Sequence, residues 1–206
     1  MYEIQNSNMN YIMGCDECGY GPLAGPLVVC GVKTPKNWDL VGLNDSKKLS
    51  EKKRKIVGDK LSKLIDEQAI SFHIAERSNV EIDKVGVAVA LKSAYIEVFH
   101  ALGQHQPISI IVDGILKFDS PCLDVYTITT EVKADAKFPS VMAASIIAKN
   151  YRDGLMKKLH LLYPQYGWEG NVGYGSADHI AAIRKYGLSE LHRRTYKVKS
   201  LIDLYE

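Results

Sequence analysis

The sequence contains no apolar run near the roughly 20 residues that a membrane-spanning helix requires. Its first ten residues are polar and have neither the basic start nor the apolar centre of a secretory signal. Internal repeats and low-complexity stretches are also missing. These absences argue against a membrane, secreted or repeat protein, and they predict a soluble protein of the cytoplasm.

Cysteine is scarce as well, with four residues in a chain of 206: Cys15, Cys18, Cys30 and Cys122. Four scattered cysteines in a chain of this length do not predict a disulfide framework. Cys15 and Cys18 form a C-x-x-C pair, which is found in zinc and redox sites. Neither a second ligand pair nor a helix start accompanies it, so the sequence favours small buried thiols.

What the sequence does contain is the balance of an ordinary globular domain, with 46% hydrophobic and 24% charged residues. The apolar periodicity predicts strands at 11–15, 27–32, 69–75, 108–112 and 123–128, and helices at 51–67, 80–102, 139–162 and 177–186. Ser50 and Ser176 are placed to cap the first and last of these helices, and Gly103 to end the second. This order of elements predicts an α/β fold with a mixed sheet and a helical C-terminal tail.

The formal net charge is only +2, but two segments are strongly basic. Residues 47–60 hold seven Lys or Arg and two acids, and residues 184–199 hold six Lys or Arg and one acid. Two basic segments on a mildly acidic body suit a partner with a phosphate backbone. Solvated surface faces explain charge runs equally well when nothing else is known.

Four acidic residues stand beside the predicted strands and helices. Asp16 and Glu17 follow the first strand, Asp113 closes a central strand, and Asp135 precedes the helix at 139–162. If they converge on one sheet edge, they require hard cations such as Mg²⁺ or Mn²⁺, and two such ions can drive an in-line phosphoryl displacement. Taken singly, Asp113 is equally well the end of a strand at a turn, and Asp135 an acid near a helix start.

Asp16 and Glu17 present a geometric difficulty, because neighbours on a regular strand point to opposite faces. They share one site only if the pleat breaks there, which the glycines that follow permit.

Read together, six blocks of sequence in order resemble the ribonuclease HII (type 2 ribonuclease H) family. They are Gly14–Pro26, Leu43–Ser50, Val112–Gly114, Lys133–Arg152 with Asp153, Gly173–Ser176 and His192–Tyr196. The resemblance covers roughly residues 12–196, and six blocks at sensible spacing are far more specific than any one of them.

The resemblance implies an RNase H-like core over residues 1–162 and a C-terminal helical extension over 163–206 that binds substrate. It implies Asp16, Glu17, Asp113 and Asp135 as the catalytic metal ligands, for Mg²⁺ or Mn²⁺. The implied substrates are RNA/DNA hybrids and DNA duplexes with embedded ribonucleotides, as in ribonucleotide excision repair. Cleavage would fall 5′ to the ribonucleotide and leave 3′-hydroxyl and 5′-phosphate ends, and the enzyme would act as a monomer.

The resemblance also implies residues that contact the substrate: Gly19, Tyr20, Gly21, Lys47, Lys48, Tyr174, Arg193 and Arg194. Tyr174 corresponds to the family tyrosine that stacks at the RNA–DNA junction, although a half-buried side chain between two turn glycines is the plainer interpretation of its surroundings. For Arg152 and Lys149, helix packing or a structural ion pair is at least as good an interpretation as a phosphate contact.

One position departs from the family pattern, which has Gly-Arg-Gly where this chain has Gly19-Tyr20-Gly21. The glycines let the backbone approach the ribose, but tyrosine cannot supply the positive charge of arginine. Metal binding should therefore survive, whereas substrate affinity and the preference for a single ribonucleotide are open.

Other functions remain as alternatives. Tyr20 is compatible with a nucleic-acid binder that no longer cleaves, although the intact carboxylates argue against it. Another enzyme of the same fold, such as a Holliday-junction resolvase, would carry its own signature, which is absent. The type 3 relatives usually have an extra N-terminal domain, for which the residues before Tyr11 leave no room. The segment 199–205 loosely resembles a sliding-clamp peptide, but packing of a terminal helix on the body is the favoured interpretation.

Overall fold

The computed structural model describes residues 10–39 and 51–204, and for residues 51–53 and 202–204 it describes the backbone alone. The predicted helix cap Ser50 and the predicted substrate residues Lys47 and Lys48 lie outside the described residues. The strands are β1 (Tyr11–Cys18), β2 (Leu27–Pro35), β3 (Ser71–Arg77), β4 (Ile108–Asp113) and β5 (Tyr126–Glu131). The helices are α1 (Glu51–Asp66), α2 (Asn79–Val85), α3 (Val87–Gly103), α4 (Pro139–Leu162), α5 (Trp168–Asn171) and α6 (Ala177–Tyr186), with 3₁₀ turns at Pro121–Leu123, Ala134–Ala136, Pro164–Tyr166 and Lys199–Leu204.

The described strands form one mixed sheet in the order β3-β2-β1-β4-β5. The first three strands pair antiparallel, whereas β4 is parallel to β1 and β5 is parallel to β4. One face of the sheet packs on α3, with Cys15 of β1 beside Tyr95 and Phe99. The other face packs on α1 and α4 through a second apolar cluster. The predicted α/β class with a mixed sheet is confirmed.

Helix α4 lies unusually close to β1 because Gly14 has no side chain. A Cβ on Gly14 would lie 2.2 Å from the backbone nitrogen of Val141. No side chain fits in that space, so any substitution would push the first turn of α4 away from the sheet. The start of α4 is thereby fixed against the strand that carries Asp16.

The predicted helix over 80–102 is in fact two helices, α2 and α3, bent by 116° at Gly86. Gly86 has φ 82°, a conformation that ordinary residues avoid, and Ser78 with Glu81 forms a capping box that starts α2. Gly103 is the last helical residue, and Gln104 adopts the left-handed conformation that Gly103 was expected to have. In the described part of the chain no single helix is long and apolar enough to cross a membrane, and α2 with α3 meets that test only as a bent pair.

All five strands differ from their predicted bounds, and the smaller changes are that β2 continues to Pro35 and β4 to Asp113. Strand β1 runs to Cys18 rather than Cys15, since its ladder with β2 continues through Cys18 opposite Val28. Strand β3 begins at Ser71, two residues late, and β5 begins at Tyr126, because Pro121–Leu123 forms a 3₁₀ turn first. Helices α4 and α6 have their predicted bounds, and Ser176 caps α6 by accepting a hydrogen bond from the His179 backbone N–H.

The segment after α4 packs on the rest of the chain through its own apolar cluster. Trp168, Ile183 and Leu201 are buried there together with Met156 of α4 and Ala24 of the loop between β1 and β2. A backbone bridge pairs Ala24 with His192. The C-terminal segment therefore covers and holds the loop that follows the first two predicted site residues.

Candidate active site

Asp16 and Asp113 stand side by side at one end of the sheet. In the parallel pair of β1 and β4, Cys15 lies opposite Val112, and Asp16 and Asp113 are the next residue on each strand. Neighbouring strands are about 4.8 Å apart, so the two carboxylates leave the sheet together. Asp16 is 7% exposed, which makes it one of the few buried acids of the described chain.

Asp135 reaches the same end from a 3₁₀ turn, Ala134–Ala136, and its side chain is buried. The turn is fixed to β4 because the backbone N–H of Ala134 donates to Oδ1 of Asp113 at 2.6 Å. Ala134 also packs with Ile111 and Val141, on the face of the sheet that α4 covers. Asp16, Asp113 and Asp135 thus approach one sheet end from the α4 side.

Glu17 lies on the other face of the sheet, because the pleat continues past Asp16 and the break that would turn both side chains to one face does not occur. The ladder between β1 and β2 pairs Asp16 with Cys30 and Glu17 with Val29 without interruption. Tyr95 of α3 donates its hydroxyl hydrogen to Oε2 of Glu17 at 2.5 Å. The four acids therefore lie near the same end of the sheet, with Asp16, Asp113 and Asp135 on the α4 side and Glu17 on the α3 side.

Burial and mutual repulsion make the ionised forms of these acids costly. Burial raises the pKa of Asp16 to about 7, and the charges of Glu17 and Asp113 add to the effect against a hydrogen bond from Ser145. Burial likewise raises the pKa of Glu17, and Asp113 raises it further, whereas the hydrogen bond from Tyr95 lowers it. A cation placed between these carboxylates would offset both causes.

The donor set fits a hard divalent cation, because all four groups offer carboxylate oxygens and no sulfur. As the side chains stand, no three His, Cys, Asp or Glu of the described residues are gathered closely enough to hold one ion. The electrostatic cost at Asp16 and Glu17 is the observation that fits a cation site.

Two buried arginines donate hydrogen bonds to the loop that follows β1 from the interior of the protein. Arg193 donates to the carbonyl oxygens of Gly19, Tyr20 and Gly25. Arg152 donates to the carbonyl oxygens of Ala24, Pro26 and Val172. The expectation that Arg193 contacts a phosphate is therefore corrected, since its side chain is 1% exposed and its donors are directed at the loop.

Tyr174 stands beside this loop, half exposed at 46%. A Cβ on Gly21 would lie 3.6 Å from Cε1 of Tyr174, so the tyrosine ring is close to the glycine. His179 fixes the backbone here by donating from Nδ1 to the Tyr174 carbonyl at 2.8 Å. Tyr20 is also exposed, so two accessible aromatic rings lie at this loop, one on the loop itself and one beside it.

The other predicted basic contact, Arg194, is exposed, and its backbone N–H donates to Asp83 of α2. Its side chain is thus presented to solvent on a backbone that α2 anchors. The C-x-x-C pair has no shared site, because Cys15 is buried against α3 and Cys18 packs with the cluster on the opposite face. All four cysteines are free.

Sequence patterns did not reveal the residues that hold the carboxylates in place. In the sequence Tyr95 is one position on the apolar face of the helical pattern 80–102, and Ser145 is one of a run of small residues at 143–145. The one available signal for Tyr95 was a hydroxyl on a fully buried helix face, which needs a hydrogen-bond partner.

A family model described as Ribonuclease HII matches residues 13–199 of this chain. The chain belongs to the ribonuclease HII family. The ribonuclease HII of Clostridium beijerinckii is 42% identical over 98% of this chain and 73% of its own length, and that of Aliarcobacter butzleri is 43% identical over 94% of each. In the PCNA:RNase HII complex from Archaeoglobus fulgidus, the matched chain is 26% identical with a TM-score of 0.74, covering 91% of this chain and 95% of that one.

Membership of the ribonuclease HII family establishes the reaction class. The chain is a metal-dependent endoribonuclease that cleaves the RNA of RNA/DNA hybrids, and its mixed sheet flanked by helices is the RNase H-like fold. The sheet end with Asp16 and Asp113 is its candidate active site.

Proposed function

We propose that this ribonuclease HII nicks the RNA-containing strand of hybrids and of DNA duplexes with embedded ribonucleotides. Cleavage falls 5′ to the ribonucleotide and leaves 3′-hydroxyl and 5′-phosphate ends, the reaction that starts ribonucleotide excision repair. The observation that carries the proposal is the register of β1 and β4, in which Asp16 and Asp113 are side by side, with Asp16 three residues before Gly19 of the following loop.

Asp16, Glu17, Asp113 and Asp135 are the proposed ligands of two Mg²⁺ or Mn²⁺ ions. Such ions, when bound, activate the attacking water and stabilise the leaving oxygen. The chain's own contribution is to hold the carboxylates, through Ser145 at Asp16, the Tyr95 hydroxyl at Glu17 and the Ala134 N–H at Asp113. Burial of Asp16 and Asp135 limits competing water at these ligands.

Substrate recognition is assigned to the exposed groups beside the carboxylates. The exposed backbone of Tyr20 and Gly21 can approach a ribose closely, and the ring of Tyr174 lies next to Gly21 as a stacking group, whereas Gly19 is buried against Arg152 and supports this backbone from inside. Arg194 supplies an accessible cation for a phosphate. Lys47 and Lys48, outside the described residues, are proposed to do the same.

A cleavage assay with three duplexes tests this function, using one ribonucleotide, four ribonucleotides and a full hybrid, with Mg²⁺ or Mn²⁺. We expect cleavage of all three, product ends as stated, and loss of at least about a hundredfold in kcat for Asp113→Asn. Asp119→Asn, which changes an exposed acid of the loop after β4, is the matched control and should cleave normally.

Two outcomes would contradict the proposal. Unchanged cleavage by Asp113→Asn would refute the assigned role of that carboxylate. Tight binding of all three duplexes without metal-dependent turnover would favour the non-cleaving binder, and preferential cleavage of a four-way DNA junction would favour a resolvase.

The proposal includes the division into a catalytic core, residues 1–162, and a substrate-binding extension, residues 163–206. It also includes a monomer that acts inside the cell, where DNA is accessible. Binding to a sliding clamp through residues 199–206 is a weaker proposal, because Leu201 is buried in the C-terminal cluster rather than free for a partner. A clamp pull-down with and without residues 199–206 tests it.

A further inference from the structure

Arg152 and Arg193 are an unusual pair, since both guanidinium groups are buried and both donate to backbone carbonyls. Their exposed fractions are 0% and 1%. Among the described residues no Asp or Glu forms an ion pair with either. Two like charges also lie near each other, and Arg152 lowers the pKa of Arg193 in addition to the larger effect of burial. Burying a charge costs its hydration energy, which must be offset by hydrogen bonds when no opposite charge is near. The carbonyl groups that accept these hydrogen bonds are therefore the feature to explain.

The carbonyls that the two arginines bind belong mostly to one loop. Arg193 takes those of Gly19 and Tyr20 at 2.6 and 2.9 Å, and Arg152 takes that of Pro26 at 2.9 Å. In a trans peptide the carbonyl and the N–H point in opposite directions, and the described chain has no cis bonds. Carbonyls of residues 19 and 20 that point inward therefore direct the N–H groups of Tyr20 and Gly21 outward, where both residues are exposed.

The same arginines connect this loop to Tyr174. Arg152 also donates to the carbonyl of Val172, two residues before Tyr174, at 2.9 Å. Gly19 packs directly on Arg152, because a Cβ there would lie 2.2 Å from Nε. The Arg152 guanidinium thus contacts both the loop and the segment that carries Tyr174, which the Leu23 N–H also joins by donating to the Gly173 carbonyl at 2.8 Å.

We propose that Arg152 and Arg193 are positioning residues for substrate recognition, which orient the peptides of residues 19–21 and hold them against Tyr174. This inference rests on the proposed function of the loop. It also predicts that recognition survives with Tyr20 at the centre of the loop, because outward peptide N–H groups near two buried cations attract a phosphate or a ribose hydroxyl whatever the side chain. Neither arginine touches substrate, so neither is a catalytic residue.

A positioning role differs from a purely structural role in that it changes KM more than kcat. Arg193→Lys keeps the charge but loses the fork that reaches three carbonyls at once. We expect it to raise KM for the single-ribonucleotide duplex roughly tenfold while kcat falls less than about threefold. Binding of Mn²⁺, followed by calorimetry without nucleic acid, should stay within about twofold of wild type, since the carboxylates are untouched.

Tyr166→Phe is the matched control, because it removes a buried hydrogen bond of the same C-terminal segment, to the Gly187 carbonyl, away from the loop. It should lower the melting temperature and leave KM unchanged. Tyr196→Phe is a milder second variant if Arg193→Lys fails to fold, since the Tyr196 hydroxyl donates to the Tyr20 carbonyl at 2.6 Å. We expect it to raise KM about two- to threefold.

An unchanged KM in folded Arg193→Lys, or in Tyr196→Phe, would overturn the inference. So would an equal rise of KM in Tyr166→Phe, which would reduce the effect to stability. Wild-type protein that cleaves none of the ribonucleotide duplexes would instead refute the proposed function, so the two failures are distinguishable.

Discussion

Tyr95 and Glu17 are joined by a 2.5 Å hydrogen bond on the α3 face of the sheet, opposite the face that carries Asp16. Tyr95 is 0% exposed and Glu17 is partly buried. The hydroxyl donates to a carboxylate that has lost much of its water, so the bond stabilises the charged form. Through this contact a core helix determines the state of a proposed metal ligand.

The first prediction concerns that contact. Tyr95→Phe leaves the buried carboxylate with one donor fewer and no fixed orientation, so we expect Mn²⁺ affinity, measured by calorimetry, to fall roughly three- to tenfold. Tyr126→Phe is the control, because its hydroxyl accepts from the His105 backbone on the same face but away from the carboxylates. Equal or tighter Mn²⁺ binding by Tyr95→Phe would contradict this, because it would mean that the hydrogen bond does not orient Glu17 as a metal ligand.

The second prediction concerns the cost of assembling like charges without a cation. Asp16 is buried beside Glu17 and Asp113, so Asp16→Asn removes a buried negative charge from that group. In EDTA at pH 8 we expect the free energy of unfolding of the variant to exceed that of wild type by about 1–3 kcal/mol. The melting temperature should rise by roughly 3–8 °C. Added Mg²⁺ should stabilise wild type and not the variant.

Asp119→Asn serves as the comparison for this measurement, because it removes an exposed charge from a loop. It should leave both the melting temperature in EDTA and the response to Mg²⁺ unchanged. Asp16→Asn that melts below wild type in EDTA would mean that the carboxylates do not repel one another in the folded protein.

Much of this site follows from strand ends that are visible in the sequence. A continuous apolar run that stops at Asp113 predicts a buried strand with its carboxylate at the end, and β4 ends there. Pro139 and Pro164 bracket a helix of apolar periodicity, and α4 runs between them from Pro139 to Leu162. These elements were predictable because local signals and tertiary packing agree there.

The remainder depends on contacts between distant parts of the chain. The path of β1 past Asp16 is determined by its ladder with β2, which no local pattern reveals. The break at Gly86 competes with an apolar periodicity that continues through it. Arg193 looks like a surface cation in the sequence, and its burial follows from a loop more than 160 residues away that offers it carbonyl oxygens.

The third prediction uses the pH dependence of a buried imidazole pair. Nε2 of His179 lies 3.1 Å from Nε2 of His192, and the Ser189 N–H donates to Nδ1 of His192. Burial, followed by the neighbouring His179, lowers the pKa of His192 to about 3 from an ordinary 6.5. His192 is therefore neutral in the folded protein, whereas the unfolded chain binds a proton below pH 6.5, so stability falls as pH drops from 6.5 toward 3.

Acidification from pH 7 to pH 5 should lower the free energy of unfolding by about 2 kcal/mol through His192 alone. Urea denaturation of wild type and His192→Asn at both pH values measures it. The variant is expected to be less stable at pH 7 and to lose about 2 kcal/mol less than wild type on acidification. Identical losses in the two proteins would assign the acid sensitivity to other groups.

Tyr20 stands where the family pattern has arginine. Its ring is exposed to solvent, while its carbonyl accepts a hydrogen bond from the buried Arg193. Tyr20→Arg adds a cation without disturbing that backbone contact, so it should gain a phosphate contact. We expect the dissociation constant for the single-ribonucleotide duplex in EDTA to fall about three- to tenfold at low salt, and the salt dependence to steepen by about one counterion. Fluorescence anisotropy across a salt series gives both values.

Tyr20→Phe keeps the ring without adding charge and should match wild type in slope. An unchanged slope for Tyr20→Arg would mean that the side chain at this position points away from the bound strand, and that recognition by the loop is carried by its backbone alone.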